Sequence, residues 1–295
     1  MKLGLGTVQF GVDYGISNQQ GKTSIDEVFQ ILSLAEKYQI KTLDTAALYG
    51  NSEEVLGQTL RPSHNFEIIT KTMVFQHPKI SREDAEKVVV GFESSCQKLR
   101  VTSVYGLLIH SSQNLITEGS EYLWERMQYL KDKGKIAKIG VSVYNQQEIE
   151  QIMNKFPIDI IQAPCNLFDQ NLVTGGILRD LKSAGIEIHV RSAFLQGLLL
   201  MNPEDLPHSF KPIYNHFLHY KNNLSKIGIS PLTACLVFLK NIPEIDRIIC
   251  GVNSYNHLLE IINAYHDNTQ ISKEILSSFA LSTSQFINPS TWKID

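Results

Sequence analysis

The sequence predicts an α/β chain folded as one domain, a (β/α)8 TIM barrel spanning residues 1–295. Eight short apolar runs alternate with helical patterns, and the length of 295 residues is one at which closed α/β barrels commonly fall. Strands separated by helices are parallel and joined by right-handed crossovers. Polar groups end six of the runs (Asp44, Lys71, His110, Ser142, Gln162 and Arg191-Ser192). An open doubly wound sheet gathers its site at one switch point, so polar ends spread along the chain favour a closed cylinder with one mouth.

Taken in order, the apolar runs lie near 3–7, 41–44, 66–70, 104–109, 136–142, 159–163, 186–191 and 246–250. Helical patterns lie near 24–38, 51–60, 81–99, 121–133, 146–154, 175–184, 212–227, 231–240 and 254–264. Ser24 with Glu27 three residues on makes a capping box ahead of Val28, Ile31, Leu32 and Leu34. Ser81 with Asp84 makes a weaker one before Val88, Phe92 and Leu99. Asn51-Ser52-Glu53-Glu54 opens a helix with carboxylates in its first turn. Lys133-Gly134-Lys135 and Ala184-Gly185 stop helices just before new strands, and Ser230-Pro231 gives an N-cap followed by proline at the first helical position. The stretch from Phe194 to Pro212, with three prolines, reads as a functional loop. No linker, internal repeat or low-complexity tract interrupts the pattern.

Composition narrows the function classes. A formal net charge of -3 gives no electrostatic footprint for nucleic acid. There is no apolar run of bilayer-spanning length and no leader at Met1, so the expectation is a cytoplasmic protein that avoids membranes. Cys96, Cys165, Cys235 and Cys250 lack metal-ligand spacing and read as small core residues in a reducing compartment. His216 and His219, at i and i+3 on one helix, lack a third ligand, so no metal is expected. Gly4-Leu5-Gly6-Thr7-Val8-Gln9 lacks the third glycine of the dinucleotide fingerprint, which argues against a Rossmann site.

Four groups share one structural slot. Asp44 ends the second run and Tyr49 follows it on the loop, while Lys71 and His110 end the third and fourth. An acid, a phenol, an ammonium and an imidazole would therefore converge on one mouth. Their chemistry suits carbonyl reduction, because hydride delivery to a carbonyl carbon leaves charge on oxygen and demands a proton donor within reach. A phenol is a weak acid near neutral pH, and a cation held against it eases loss of its proton. Lys71 can supply that cation, Asp44 can hold it charged, and His110 can polarise the substrate oxygen. The same groups would also serve a Schiff-base lyase working through Lys71.

These residues carry a resemblance to the aldo-keto reductases over nearly the whole chain. The matching pieces are Gly4-Leu5-Gly6-Thr7, Asp44-Thr45-Ala46 through Tyr49-Gly50, Thr70-Lys71, Leu108-Ile109-His110-Ser111, Ile139-Gly140-Val141-Ser142, Gln162 and Gln196-Gly197-Leu198-Leu199. The resemblance implies an NADP(H)-dependent reductase of aldehydes and ketones, with Tyr49 as general acid, Lys71 and Asp44 tuning it and His110 orienting the carbonyl. It implies that Ser142 and Gln162 hold the nicotinamide carboxamide and that Ser192, Phe194, Gln196, Gly197 and Leu198 line the pyrophosphate. Glu260 would lie near the adenine. A non-catalytic, cofactor-sensing barrel, as in potassium-channel beta subunits, is the other role the family allows.

Three positions depart from that pattern. Val143 stands where many relatives have Asn, and Arg191 stands where many place an aromatic ring against the nicotinamide. Asn253 and His257 occupy positions where an Arg commonly meets the 2′-phosphate, so NADP is expected with NAD not excluded. Phe10, Tyr14, Phe75, His77 and Ser112 are the expected substrate-side residues, for a small carbonyl compound that could be sugar-derived.

Overall fold

A computed structural model describes residues 1–292. Eight parallel strands close on themselves in sequence order: β1 (Leu3–Gly6), β2 (Thr42–Asp44), β3 (Glu67–Lys71), β4 (Val104–Ile109), β5 (Ile136–Ser142), β6 (Ile160–Pro164), β7 (Glu187–Arg191) and β8 (Arg247–Gly251). The pairing of β1 with β8 seals the cylinder. This is the architecture the alternating pattern predicts.

The helices Ile25–Lys37, Ser52–Thr59, Arg82–Leu99, Ser120–Asp132, Gln146–Met153, Ile177–Ser183, Pro231–Lys240 and Tyr255–His266 surround the sheet, and Tyr214–Lys226 is added before the last strand. Their apolar stripes bury Val28, Ile31, Leu32, Val88, Phe92, Leu123 and Met127 against the outside of the barrel in one large core. A second, small cluster of Ile69, Leu108 and Ile160 fills the interior, with Tyr105 packed against it.

The caps differ in detail from the sequence reading. Ser81 and Asp84 form the complete reciprocal box. Ser24 accepts from the Glu27 amide, but the Glu27 carboxylate turns away and accepts from the Tyr255 backbone N–H at 2.5 Å. Glu27 therefore ties the first long helix to the last. The short helices Lys273–Ser277 and Ser284–Ile287 were not foreseen, since each holds too few residues to show a period.

Strand register fixes which side chains meet. Asp44 pairs with Ile69, Lys71 with Leu108, Leu108 with Gly140, Ser142 with Gln162, and Gln162 with His189. Paired residues share a face and so do residues two apart, which puts Asp44, Lys71, Ser142, Gln162 and Arg191 on the inner face toward the carboxyl ends. His110, two residues beyond Leu108, follows the same alternation.

Candidate active site at the carboxyl mouth of the barrel

Lys71 is the hub. Its ammonium donates to Asp44 Oδ2 at 2.6 Å, to the Thr45 carbonyl at 2.8 Å and to the Tyr49 hydroxyl at 3.4 Å. Only 1% of the Lys71 side chain and 5% of the Asp44 side chain reach solvent, so each charge depends on the other. Burial alone would lower the Lys71 pKa, but the Asp44 carboxylate and the Tyr49 oxygen outweigh it and raise the value above that of an ordinary lysine. Asp44 is fully engaged, because its Oδ1 accepts from the Gln162 amide at 2.7 Å.

The loop that carries Tyr49 is tied down by buried hydroxyls. Ser52 Oγ donates to the Thr7 carbonyl at 2.8 Å and lies 2.9 Å from Thr7 Oγ1, while Thr45 Oγ1 lies 3.2 Å from Ser52 Oγ. Thr70 donates to Glu53 Oε1 at 2.6 Å from the strand that bears Lys71. Gly11 makes the close approach possible, since a Cβ there would stand 1.8 Å from the Tyr49 carbonyl oxygen.

His110 stands beside the phenol, with the two rings edge-to-face and their centroids 5.9 Å apart. Burial, and next the Lys71 charge, push its pKa down to about 4. The imidazole is therefore neutral at pH 7 and can present a ring N–H to a substrate oxygen. Its Nδ1 has no protein partner.

Above this floor opens a cavity of about 550 Å³, within the range of small-molecule and cofactor sites. Its walls come from the loops after β1, β5, β7 and β8, with Tyr14, Tyr144, Phe194 and Asn253 prominent. The loops after β1 and β7 meet over it. Gln196 Nε2 donates to the Tyr14 hydroxyl at 3.0 Å, and Gly197, at φ 93°, lies so close to Ser17 that a Cβ would come 1.8 Å from the hydroxyl oxygen. Buried polar atoms in the wall lack partners: Gln9 Oε1, Gln162 Oε1 and Asn253 Nδ2. Orphaned buried donors and acceptors are costly, and a polar ligand would satisfy them.

The profile of the Aldo/keto reductase family matches residues 2–279. The chain belongs to this family. It is similar to the aldo-keto reductase YhdN of Bacillus subtilis, at 26% identity covering 93% of this chain and 88% of that protein. A Bacillus subtilis glyoxal reductase is 27% identical over a shorter alignment, 60% of this chain and 62% of the relative. Among solved structures, a glycerol dehydrogenase from Gluconobacter oxydans superimposes with a TM-score of 0.73 at 20% identity, covering 100% of this chain and 94% of its own. The holo form of an aldo-keto reductase from Bacillus halodurans gives 0.75 at 18% identity, with 94% and 90% covered. These two likenesses support the barrel fold. Aldo-keto reductases are oxidoreductases that act on carbonyl compounds with nicotinamide cofactors.

The barrel brings most of the residues singled out from the sequence to one place. Asp44, Tyr49, Lys71 and His110 line the cavity, as do Ser142, Gln162, Ser192, Phe194, Gln196, Gly197 and Glu260. Leu198 does not. Left-handed backbone at Gln196 (φ 55°) and Gly197 (φ 93°) reverses the chain just before it, and its side chain is buried in the core. Of the expected substrate-side residues only Tyr14 reaches the cavity. Phe10 is buried in the core, Asn114 brackets the Phe75 backbone on both sides, Ser112 is buried, and His77 lies outside, 3.6 Å from Asp84. His216 and His219 turn to the carboxyl-terminal segment, where His216 Nε2 lies 2.9 Å from the Phe279 carbonyl. Gln9, in the one-turn helix Val8–Gly11, and Tyr144, on a loop, are wall residues that no sequence signal marked, because neither segment is long enough to show a period. No helix among the described residues is long and apolar enough to cross a membrane.

Proposed function

We propose that this chain reduces an aldehyde or ketone to the alcohol with NADPH, and accepts NADH as well, with Tyr49 as the general acid. The observation that carries the reading is the Lys71 ammonium, held between the Asp44 carboxylate and the Tyr49 hydroxyl on the cavity floor. The bound cofactor supplies hydride to the carbonyl carbon. Tyr49 gives its proton to the oxygen, and Lys71 keeps a positive charge against the phenolic oxygen as that proton leaves. Asp44 holds Lys71 charged and aimed, with Gln162 fixing the other carboxylate oxygen. Neutral His110 donates a hydrogen bond to the same substrate oxygen and sets its direction.

Several residues fit a nicotinamide dinucleotide. The Gln162 Oε1, buried and without a partner, suits the amide N–H of a carboxamide, and Ser142 beside it adds a hydroxyl. Ser192, Phe194, Gln196 and Gly197 line the wall where a pyrophosphate would run. The wall formed by Asn253, His257 and Glu260 includes no lysine or arginine, so a 2′-phosphate gains no charge-assisted contact there and NADH competes. Amide and phenol groups of Tyr14, Gln19, Gln20 and Tyr144 suit a hydroxylated, sugar-derived carbonyl compound. A glyoxal reductase among the relatives agrees with a small oxygen-rich substrate. Schiff-base chemistry at Lys71 is disfavoured, since its raised pKa keeps the amine protonated.

The test pairs a carbonyl panel, followed by loss of reduced-cofactor absorbance, with the Tyr49→Phe variant. Turnover should fall by about 10³-fold while reduced-cofactor affinity stays within about threefold. Turnover retained in the variant would remove Tyr49 as the acid. Tight dinucleotide binding by the native chain without turnover on any carbonyl would favour a sensing role.

A further inference from the structure

Arg191 is a cation that the cavity fixes without neutralising. It ends β7 on the inner face, and its Nη2 donates to the Val143 carbonyl at 3.2 Å while the guanidinium stands 4.5 Å over the Tyr144 ring. Both partners are neutral, so they hold the group in place and leave its charge intact. No carboxylate among the described residues comes within 4.0 Å of it. The buried cation of the cavity, Lys71, is matched by Asp44, whereas Arg191 is only half-buried and has no such match. Asp169, whose titration registers Arg191, is buried and spends its Oδ1 on the side-chain amide of Asn171 at 2.9 Å.

The charge of Arg191 is felt at groups around it. It is one of the influences that hold His110 in its neutral form, after burial and Lys71, and it acts on Tyr14 on the loop after β1. Register brings it near the open amide. Arg191 lies two residues beyond His189, the partner of Gln162, whose Oε1 awaits a donor. A ring held by that amide therefore sits inside the field of an unmatched cation.

The nicotinamide ring is uncharged when reduced and carries one positive charge when oxidised. We propose that Arg191 is a cofactor-discriminating residue, which makes the cavity bind the reduced dinucleotide in preference to the oxidised one. This inference rests on the reductase reading above. The uncharged reduced ring meets no repulsion from the guanidinium, which appears only once the ring becomes cationic. The oxidised product is then released readily after carbonyl reduction, while alcohol oxidation suffers from weak capture of its cofactor. Part of the repulsion is also felt during hydride transfer, so the gain lies in turnover and direction of use rather than in the chemical step.

The test measures dissociation constants for the reduced and oxidised forms of one dinucleotide by fluorescence quenching, for the native chain, Arg191→Gln and Arg191→Lys. The native ratio of oxidised to reduced constants should fall by about tenfold in Arg191→Gln, the scale expected for one unit charge at close range in a partly solvated site. Arg191→Lys should keep most of the native ratio. A ratio unchanged in Arg191→Gln, with both forms still bound, overturns the inference and leaves the reductase reading standing. A ratio that shifts equally in the Lys and Gln variants assigns the effect to lost packing on Tyr144 and also overturns it. Failure of the native chain to bind either form would remove the reductase reading, and this inference with it.

Discussion

The barrel contains two triads that each join a lysine, a carboxylate and a phenol. At the carboxyl mouth, Lys71, Asp44 and Tyr49 meet; at the opposite end, Lys138, Glu187 and Tyr105 do. The wiring differs. At the mouth the lysine lies between acid and phenol, and the phenol faces a cavity. At the other end the phenol donates straight to the carboxylate, Tyr105 to Glu187 Oε2 at 2.7 Å, and the same oxygen also accepts from Lys138. Glu187 Oε1 takes His189 Nε2 at 2.8 Å, which closes the group. Burial first, with the hydrogen bond to Glu187, outweighs the opposing contact from Lys138 and raises the Tyr105 pKa. At the mouth the phenol has only the cation as its charged partner and keeps its other side open, which suits the acid role proposed for it. At the other end it spends its proton on the carboxylate inside a closed group, which suits a structural pin.

The largest effect that would break this contrast is expected at Lys71. Replacing it by Met should cut turnover by about 10³-fold and, by leaving the buried Asp44 without its cation, cost about 3 kcal/mol of stability. Steady-state kinetics on the folded protein together with urea unfolding would show both; near-native turnover would mean that the mouth triad does not act as described. At the other end, Glu187→Gln should cost about 2 kcal/mol by stranding Lys138, yet leave turnover per folded molecule within about twofold. Thermal melts beside the same assay would separate the two ends, and a tenfold loss of turnover would erase the distinction.

Proton linkage gives the smallest and sharpest comparison. Hydrogen bonds from His189, Lys138 and Tyr105 overcome burial and hold Glu187 well below the usual carboxylate range. Its contribution is therefore present above the unfolded carboxylate pKa of about 4.5 and is lost as pH falls below that. His110 acts over a different window. Because its folded value lies at about 4 against 6.5 unfolded, the unfolded chain binds the proton first, and stability falls as pH drops from about 6.5 toward 4. The imidazole stays neutral above pH 5, so kcat/KM should show no break near 6.5. An inflection there that disappears in His110→Gln would overturn the assignment of a neutral imidazole.

The fold was legible because strands buried on both faces read as apolar runs and the intervening helices carry one apolar stripe each. Asp44, Lys71 and His110 were legible for a related reason, since a polar residue at the end of an apolar run has to face something polar. The loops were not. Phe10 and Tyr14 lie on one excursion after β1, yet one packs into the core and the other faces the cavity. Nothing in their spacing encodes that difference. Leu198 was misplaced because the reversal at Gln196 and Gly197 depends on backbone conformation that resemblance alone does not specify. The lower group did leave a signal, with Lys138, Glu187 and His189 interrupting apolar strands away from their carboxyl ends.

The knot of hydroxyls formed by Thr7, Thr45 and Ser52 has a consequence for motion. Because it anchors the Tyr49 loop to a helix and to the ends of two strands, the phenol is in position before anything arrives, and the proton transfer proposed for it requires no rearrangement of the floor. Whatever gating the enzyme has must fall to the roof, where one amide-to-phenol contact, Gln196 to Tyr14, latches two loops together. Entry and exit of ligand are thus mechanically separate from the chemistry beneath them.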